Sequence, residues 1–182
     1  MVDTFGLKKI WVKPFEKFGS PTVGNDFWKN VSEAENTSGW RELGDVFQDS
    51  ATLSEDEQSK ETFRSETSAR KITIYGKTGD LSIDLELMSP DLDLMALYFG
   101  GTITTDSNGK KTWKRPANFS AKPFAIMIMP ENGLMLKCPQ VAIAPRLGMD
   151  YTETGVFKVP LKISLIDEVT FTEDTASPIF SE

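Results

Sequence analysis

The chain has 182 residues, 26% of them charged and 39% hydrophobic, and its 27 acidic and 20 basic side chains give a formal net charge of −7. These proportions are typical of one globular domain, and the acidic balance argues against a protein that binds nucleic acid by neutralising phosphates. The absence of histidine excludes the Ser-His-Asp and Cys-His catalytic systems, and a lone cysteine, Cys138, excludes an internal disulfide. No apolar run approaches the roughly 20 residues of a membrane-spanning helix.

The first third of the chain shows little periodicity, because proline and glycine interrupt residues 14–62. We expect one domain over residues 1–182, in which residues 1–20 form an N-terminal arm and residues 48–61 a long acidic loop. Long loops in compact domains are usually functional or disordered, and an assembly contact would order such a loop against a neighbour. The first six residues lack an apolar stretch behind a basic start, so we expect synthesis in the cytoplasm without a secretory signal.

The next region predicts a hairpin, with strands at 72–75 and 81–87 flanking a turn at 76–80. In the second strand four aliphatic residues alternate with polar ones, so one face enters the core and the other is wet. The aliphatic set is Leu81, Ile83, Leu85 and Leu87, and the polar set is Ser82, Asp84 and Glu86.

A short helix follows at about residues 90–99. We expect Ser89 as its N-cap, Pro90 in the first helical position and Gly100 at its end. An apolar stripe for packing on the sheet consists of Leu92, Met95, Ala96 and Phe99.

The rest of the chain is typical of strands. Hairpins are predicted at 102–105 with 111–114, around Asn108-Gly109, and at 124–129 with 134–138, followed by strands at 141–145 and 156–166. An acidic C-terminal arm over residues 168–182 completes the chain. One helix among many strands predicts a mainly β fold, either a β-sandwich or a partly open barrel, with one flanking α-helix and long loops or terminal arms.

The hairpin at 124–138 is apolar on both faces, because alanine and methionine alternate with isoleucine. Two interpretations are open. The helix and a second sheet layer cover both faces within the domain, or another subunit covers one face or the strand edge. On the second interpretation the candidate ring-interface residues are Ile126, Met127, Ile128, Met129 and Met135.

Charged residues cluster with opposite signs in different parts of the chain, and such poles can steer head-to-tail self-association. The alternative is that these clusters are solvated loops that keep the protein soluble. The candidate ring-stacking residues are the acidic Asp49, Glu55, Asp56 and Glu57 and the basic Lys110, Lys111, Lys114 and Arg115.

Motifs for catalysis are weak. Gly76-Lys77-Thr78 lacks the glycine that a phosphate-binding loop needs five positions earlier, and Ser68 with Lys71 leads into a strand rather than the helix of Ser-Lys enzymes. Asp84 and Glu86 share a strand face, which is more typical of a solvated surface than of an acid-base pair. We predict no enzymatic activity and no catalytic, cofactor or metal site.

Three pieces in order resemble the major tail tube proteins of tailed bacteriophages over about residues 60–168. They are a strand ending in an S-P-D turn, a short helix D-L-D-L-M-A-L-Y-F-G-G, and a late strand V-P-L-K-I-S-L-I-D preceded by a hairpin. The resemblance implies a structural protein of the virion whose six copies form a ring and whose rings stack into a tube that the genome passes through. It also implies terminal arms and a loop that bridge rings, and other tail proteins, such as tape measure and tail terminator, as partners. Contractile and non-contractile tails both stay open.

In such a tube, acidic side chains facing the lumen would repel DNA so that it slides without specific binding. Asp84 and Glu86 are the candidate lumen-facing residues, because they lie opposite an aliphatic stripe. The alternative function is a monomeric β-sandwich that binds carbohydrate or protein, with tryptophans as stacking platforms. Those tryptophans are Trp11, Trp28, Trp40 and Trp113.

Overall fold

The computed structural model describes residues 7–19, 23, 27–28, 39–58, 60–64, 71–76, 79–130, 134–147, 155 and 157–173. Within these ranges the chain is mainly β with one helix, as predicted. The elements are β1 Leu7–Pro14, β2 Arg41–Glu42, β3 Thr52–Glu55, β4 Lys60–Arg64, β5 Lys71–Tyr75, β6 Leu81–Met88, α1 Leu92–Phe99, β7 Thr102–Thr105, β8 Lys111–Lys114, β9 Lys122–Pro130, β10 Leu134–Pro145, β11 Lys158–Leu165 and β12 Thr170–Glu173. In the described part of the chain, no helix has the length and apolar character needed to cross a bilayer.

The main sheet has eight strands in the order β2-β1-β9-β10-β11-β6-β3, with β12 also paired to β10. Its neighbouring strands are antiparallel. Two further pairs, β4 with β5 and β7 with β8, form small sheets of their own. The sheet does not close into a barrel.

The long strand β10 has two partners in line along one side. Its first residues pair with β12, from Leu134 opposite Glu173, and its last residues pair with β11, from Val141 opposite Leu165. A register shift between Cys138 and Val141 separates these stretches on the β9 side. The sheet therefore has two staggered halves that share β10, one made of β2, β1, β9, β10 and β12, and the other of β10, β11, β6 and β3. The sequence predicted two strands where the structure has this single one.

The larger core lies between the sheet and α1. The alternation predicted for β6 is confirmed for Ile83, Leu85 and Leu87, which are buried, as are Val159, Leu161 and Ile163 on β11. At the start of β6 it fails, because Leu81 is half-buried and Ser82, expected on the wet face, is buried. The helix contributes Met95, Tyr98 and Phe99. The predicted stripe was right for Met95 and Phe99 but omitted Tyr98, whose large ring packs at 5.9 Å from that of Phe124.

The helix begins at Leu92 because Asp91, and not Ser89, is its N-cap. The carboxylate of Asp91 accepts a 2.7 Å hydrogen bond from the backbone N–H of Leu94. Ser89 has a φ of 44° and donates its N–H to the carbonyl of Phe157 instead. At the other end Gly100 has a positive φ of 73°, in line with the prediction of a glycine at the helix end.

The predicted hairpin at 72–75 and 81–87 is wrong. β5 pairs with β4, whereas β6 pairs with β11 on one side and β3 on the other. An aliphatic strand such as β6 is most stable inside a sheet, and its partners come from distant parts of the chain, which local turn signals do not reveal. Strands also occupy part of each predicted arm and of the loop: β1 within 1–20, β3 within 48–61 and β12 within 168–182. Residues 174–182 lie outside the described ranges.

Candidate assembly surfaces

The face of β9 that carries the methionines is covered by aromatic residues of the same chain. Met127, Met129 and Met135 are buried in a second core with Trp11, Trp40 and Ala125, against which Phe15, Phe27 and Trp28 pack. Ile126 belongs to the larger core, and Ile128 is half-buried against it. Four of the five predicted ring-interface residues are thus buried and serve the fold, which agrees with the interpretation that both faces are covered within the domain. The cover is an aromatic cluster and not the second sheet layer that this interpretation named.

A hydrogen bond, contacts between aromatic rings and a cation–π contact stabilise this aromatic cluster. The indole N–H of Trp40 donates a 3.2 Å hydrogen bond to the carbonyl of Phe27, and the rings of Trp28 and Trp40 lie 5.5 Å apart. The ammonium group of Lys13 lies over the ring of Phe27 at 4.9 Å. Sequence reasoning missed the cluster because its members come from a region without periodicity.

Two edge strands, β3 and β12, are exposed. Both lie on the side of the sheet away from β1 and β2. All four residues of β3 and all four of β12 are exposed. Each strand carries one large apolar side chain, Leu53 with 45% and Phe171 with 49% of its surface accessible. Among the described strands, β3 pairs with β6 alone and β12 with β10 alone. Each therefore presents a row of backbone N–H and C=O groups that another strand could use.

The opposite side of the sheet ends with β1 and β2. The strand β2 pairs with Trp11 and Val12 only, and the N–H of Leu43 donates to the carbonyl of Ile10. Residues 7–9 of β1 extend beyond β2. The two sides of the sheet are therefore different in sequence and shape.

These two sides also carry opposite charge. β1 and β2 contain four basic residues against one acidic residue, Glu42. On the other side, residues 52–58 and 166–173 contain acidic residues and no basic one. The basic residues are Lys8, Lys9, Lys13 and Arg41, and the acidic ones are Glu55, Asp56, Glu57, Asp167, Glu168 and Glu173.

The basic hairpin of β7 and β8 is fastened to the helix. In its turn, the Asp106 carboxylate accepts the backbone N–H groups of Asn108 at 2.9 Å and Lys110 at 2.8 Å. At its base, the indole N–H of Trp113 donates to the carbonyl of Gly100 at 2.9 Å. Lys111 forms an ion pair with Asp93, and this hydrogen-bonded carboxylate raises the pKa of the Lys111 ammonium group.

The other predicted ring-stacking residues are spread over separate elements. Glu55 ends β3, and Asp56 follows it with its N–H bonded to the carbonyl of Asp80. Glu57 is exposed next to it, and Asp49 lies in a turn with a φ of 58°. Lys110, Lys114 and Arg115 are exposed on the basic hairpin, with the Arg115 guanidinium 5.8 Å from the Phe99 ring. Among the residues with described side chains, no ion pair joins the acidic group to the basic one.

Asp84 and Glu86 lie on the face of β6 opposite the larger core, as predicted. They line an open cleft of about 570 Å³ together with Asp49, Arg146 and Lys162. Glu86 forms an ion pair with Lys158 at 3.1 Å, and Asp84 is opposite Lys162 in the strand register. This face therefore carries charges of both signs, whereas we expected an acidic surface.

In the part of the chain that the structure describes, few side chains are placed for metal binding or nucleophilic catalysis. It contains no group of three or more His, Cys, Asp or Glu residues placed to hold a metal ion. The Cys138 thiol is buried, which raises its pKa and disfavours the reactive thiolate.

Comparison with protein-family models and with curated proteins finds no match. Among solved structures, the chain is similar to one in the tube-terminating cap of the anti-feeding prophage, with a TM-score of 0.39 and 14% identity over 72% of this chain and 85% of that one. It is also similar to a chain in the six-fold symmetrised baseplate of the anti-feeding prophage, with a TM-score of 0.40 and 9% identity over 92% of this chain and 95% of that one. Likenesses at this level say nothing about the function of this chain.

Proposed function

We propose that this chain is a structural protein that assembles with copies of itself into rings, and that the rings stack into the tube of a phage-type tail. The observation that carries the proposal is the open sheet, whose edge strands β3 and β12 are fully exposed. Sheets usually protect such edges with short strands, charged side chains, prolines, bulges or covering segments, because a bare edge pairs with other chains. Here β3 and β12 are short and each ends in a glutamate, but neither contains a proline or a basic residue, and each exposes a large apolar side chain, Leu53 or Phe171. An edge completed by another copy needs no such protection.

A ring is the form of assembly that the two unlike sides of the sheet favour. An interface between different surfaces is head-to-tail, and it closes into a ring when the rotation between neighbours fits. The opposite charges of the two sides support this arrangement, since attraction between them orients each copy toward the next. The ring of six and the stacking of rings come from the sequence resemblance to major tail tube proteins.

The tube would be a conduit in the virion through which DNA passes without specific binding. Asp84 and Glu86 stay our candidates for its lumen, now together with Lys162 on the same exposed face. The tape measure and tail terminator proteins are the partners that the resemblance suggests. Assembly alone accounts for the function, and we propose no enzymatic activity.

The alternative function, a monomeric binding module, receives less support from the tryptophans. Trp11 and Trp40 are buried, and Trp113 packs its ring against Phe99 while its N–H bonds to Gly100. Trp28 lies edge-on to Phe27 inside the aromatic cluster. A sugar platform needs an accessible ring face, and none of the four tryptophans is fully exposed.

The test is the mass and shape of the full-length protein over a range of concentrations. Light scattering after size-exclusion chromatography should give a multiple of the 20.3 kDa chain mass that rises with concentration, and negative-stain microscopy should show rings or tubes. A particle that stays at the mass of one chain at the highest soluble concentration contradicts the proposal and favours the binding module.

A further inference from the structure

We propose that residues 178–180 fold back and dock on an exposed apolar patch of their own copy, which is centred on Leu134 and Phe171. The inference goes beyond the proposed function, because it concerns a single copy and holds whether or not copies assemble. The docked segment would lie on a face of the sheet, so the edge of β12 stays available to another chain.

The patch lies on the face of the sheet that carries the larger core. In the strand register Phe171 is opposite Leu136, a buried residue of that core. Leu134 comes two positions before Leu136, so it shares this face and is the diagonal neighbour of Phe171. Each of the two exposes 49% of its surface, and the half-buried Ile128 continues the patch onto β9. Apolar side chains that are exposed side by side mark a contact site more clearly than isolated ones do.

The helix covers the other end of this face. Tyr98 of α1 packs its ring 5.9 Å from that of Phe124, near the beginning of β9. Ile128 comes four positions later on the same strand, which is about 13 Å along an extended chain. The helix therefore shields Phe124, which is fully buried, and leaves Leu134 and Phe171 accessible.

The segment that we place on the patch begins at its border. Glu173, the last residue of β12, is opposite Leu134 in the register. Residues 174–182 follow, outside the described ranges, and read D-T-A-S-P-I-F-S-E. Their large apolar residues are adjacent, Pro178-Ile179-Phe180, and polar residues flank them. The segment thus offers one compact apolar group, as the patch does.

The tether between them has a suitable length and composition. Residues 174–177 separate Glu173 from Pro178, and they span up to about 13 Å when extended. Neighbouring strands are about 4.8 Å apart, so this reach covers the width of β12, β10 and β9. Aspartate and a Ser-Pro pair favour the turn that reverses the chain. A tether this short gives an effective concentration of about 1 mM or more, which favours the segment of the same copy over that of another.

Disulfide trapping within one full-length chain tests the docking. The variant carries Leu134→Cys and Ile179→Cys, and a mild thiol oxidant is added at about 1 μM protein, where the tethered segment outcompetes other copies. A disulfide needs Cα atoms within about 7 Å, which an undocked segment reaches only in passing. We expect a monomer on a non-reducing gel whose mass is lower by two hydrogen atoms. Cys138 is fully buried and serves as an internal background.

The matched control moves the first cysteine to the other face of the sheet. Thr172 is exposed and next to Phe171, but it is opposite Met135, which is buried under the aromatic cluster. An undocked segment would meet cysteines at 134 and 172 at similar rates, since the two residues lie on neighbouring strands. Docking should make the disulfide with Leu134→Cys form at least about fivefold faster than that with Thr172→Cys, because it raises the local concentration at one face only.

A dye that binds exposed apolar surface gives a second measurement without cysteine. Ile179→Ser with Phe180→Ser uncovers the patch if the segment is docked, so the fluorescence of such a dye should rise about twofold. If the segment is not docked, the same change removes exposed apolar groups and the fluorescence should fall. Repeating the change in a chain with Leu134→Ser and Phe171→Ser is the control, and the rise should disappear. Circular dichroism of each variant checks that the sheet is intact.

The outcomes separate this inference from the proposed function. Equal disulfide rates at positions 134 and 172, or a fall in dye fluorescence, overturn the docking. Disulfide dimers in place of the internal bond assign the segment to another copy and also overturn it. Chain mass over a range of concentrations is measured separately. A lone chain that forms the internal disulfide contradicts the rings and supports the docking.

Discussion

The hydroxyl of Tyr98 donates a 2.8 Å hydrogen bond to the backbone carbonyl of Leu43, which lies 55 residues earlier in the chain. Both residues are buried in the larger core, so this bond fastens α1 to the segment that follows β2. Removing the hydroxyl leaves the carbonyl without that donor in a dry environment, which costs about 1–2 kcal/mol. We expect Tyr98→Phe to lower the free energy of unfolding by that amount in urea titrations. Thr104→Val removes an exposed hydroxyl and is the control, with an expected change below about 0.5 kcal/mol. Equal midpoints for wild type and Tyr98→Phe would refute the role of the bond.

Tyr98 also predicts how stability depends on alkaline pH. Burial raises the pKa of its phenol well above the ordinary value near 10, so the folded protein keeps the proton that the unfolded chain loses. The contribution to stability is complete below pH 10 and decreases as the pH rises above it, by up to about 1.4 kcal/mol per pH unit. The Tyr98→Phe protein lacks this titration. The difference in stability between the two proteins should therefore shrink from pH 9 to pH 11. A constant difference would mean that the phenol has the same pKa in the folded and unfolded protein, and would contradict the raised pKa of buried Tyr98.

Gly101 joins the helix to the basic hairpin where little space is left. Its φ is 95°, and a Cβ atom added there would come within 2.2 Å of the Lys114 carbonyl oxygen. Gly101→Ala should therefore destabilise the fold by more than about 1 kcal/mol and loosen the hairpin. Gly109 is the matched control, since its φ is 79° but nothing lies within 4 Å of an added Cβ. We expect the larger drop in melting temperature for Gly101→Ala, and equal drops would mean that backbone conformation alone matters.

Substitution of Met127 distinguishes a role in the core of the monomer from a role in the contact between subunits. Its side chain is fully buried among the aromatic cluster, so Met127→Ala should cost about 2–5 kcal/mol of stability through lost contacts and a cavity. Phe171→Ala, at an exposed edge, should change the stability of the monomer by about 1 kcal/mol or less. Urea unfolding at concentrations below those of assembly measures both. A Met127→Ala protein with normal stability and impaired assembly would return this residue to the subunit interface.

Asp84 and Glu86 are tested by reversing their charge. If they face the lumen, tubes of the Asp84→Lys, Glu86→Lys double variant should retain DNA at low salt, because the exposed face of β6 becomes basic. Glu55→Lys with Glu57→Lys makes the same change in net charge outside the proposed lumen. Co-sedimentation of tubes with DNA compares the two variants. If both variants retain DNA equally, the assignment of this face to the lumen is wrong.

Local sequence patterns were sufficient to predict the elements that are defined by residues close together in the chain. The alternation in β6 and the Asn108-Gly109 turn are local patterns, so the strand, the turn and most of the inner face were predicted correctly; Ser82, expected on the wet face, is buried. The helix was found for the same reason, but its start moved by two residues because Asp91 competes with Ser89 for the capping role.

Contacts between distant parts of the chain were not predictable in this way. β6 pairs with β11, which comes much later in the chain, and with β3, and no local signal distinguishes these partners from the nearer β5. The aromatic cover of the methionines comes from Phe15, Phe27, Trp28 and Trp40, which share no period. Four of the five candidate interface residues are core residues for that reason, and Ile128 is half-buried.

One strand, β10, belongs to both staggered halves of the sheet, with β12 and β11 in line along its side. Neither half is a separate folding unit, since each would lose a strand if the other melted. Unfolding of the sheet should therefore be all-or-none, because β9 also pairs with both stretches of β10.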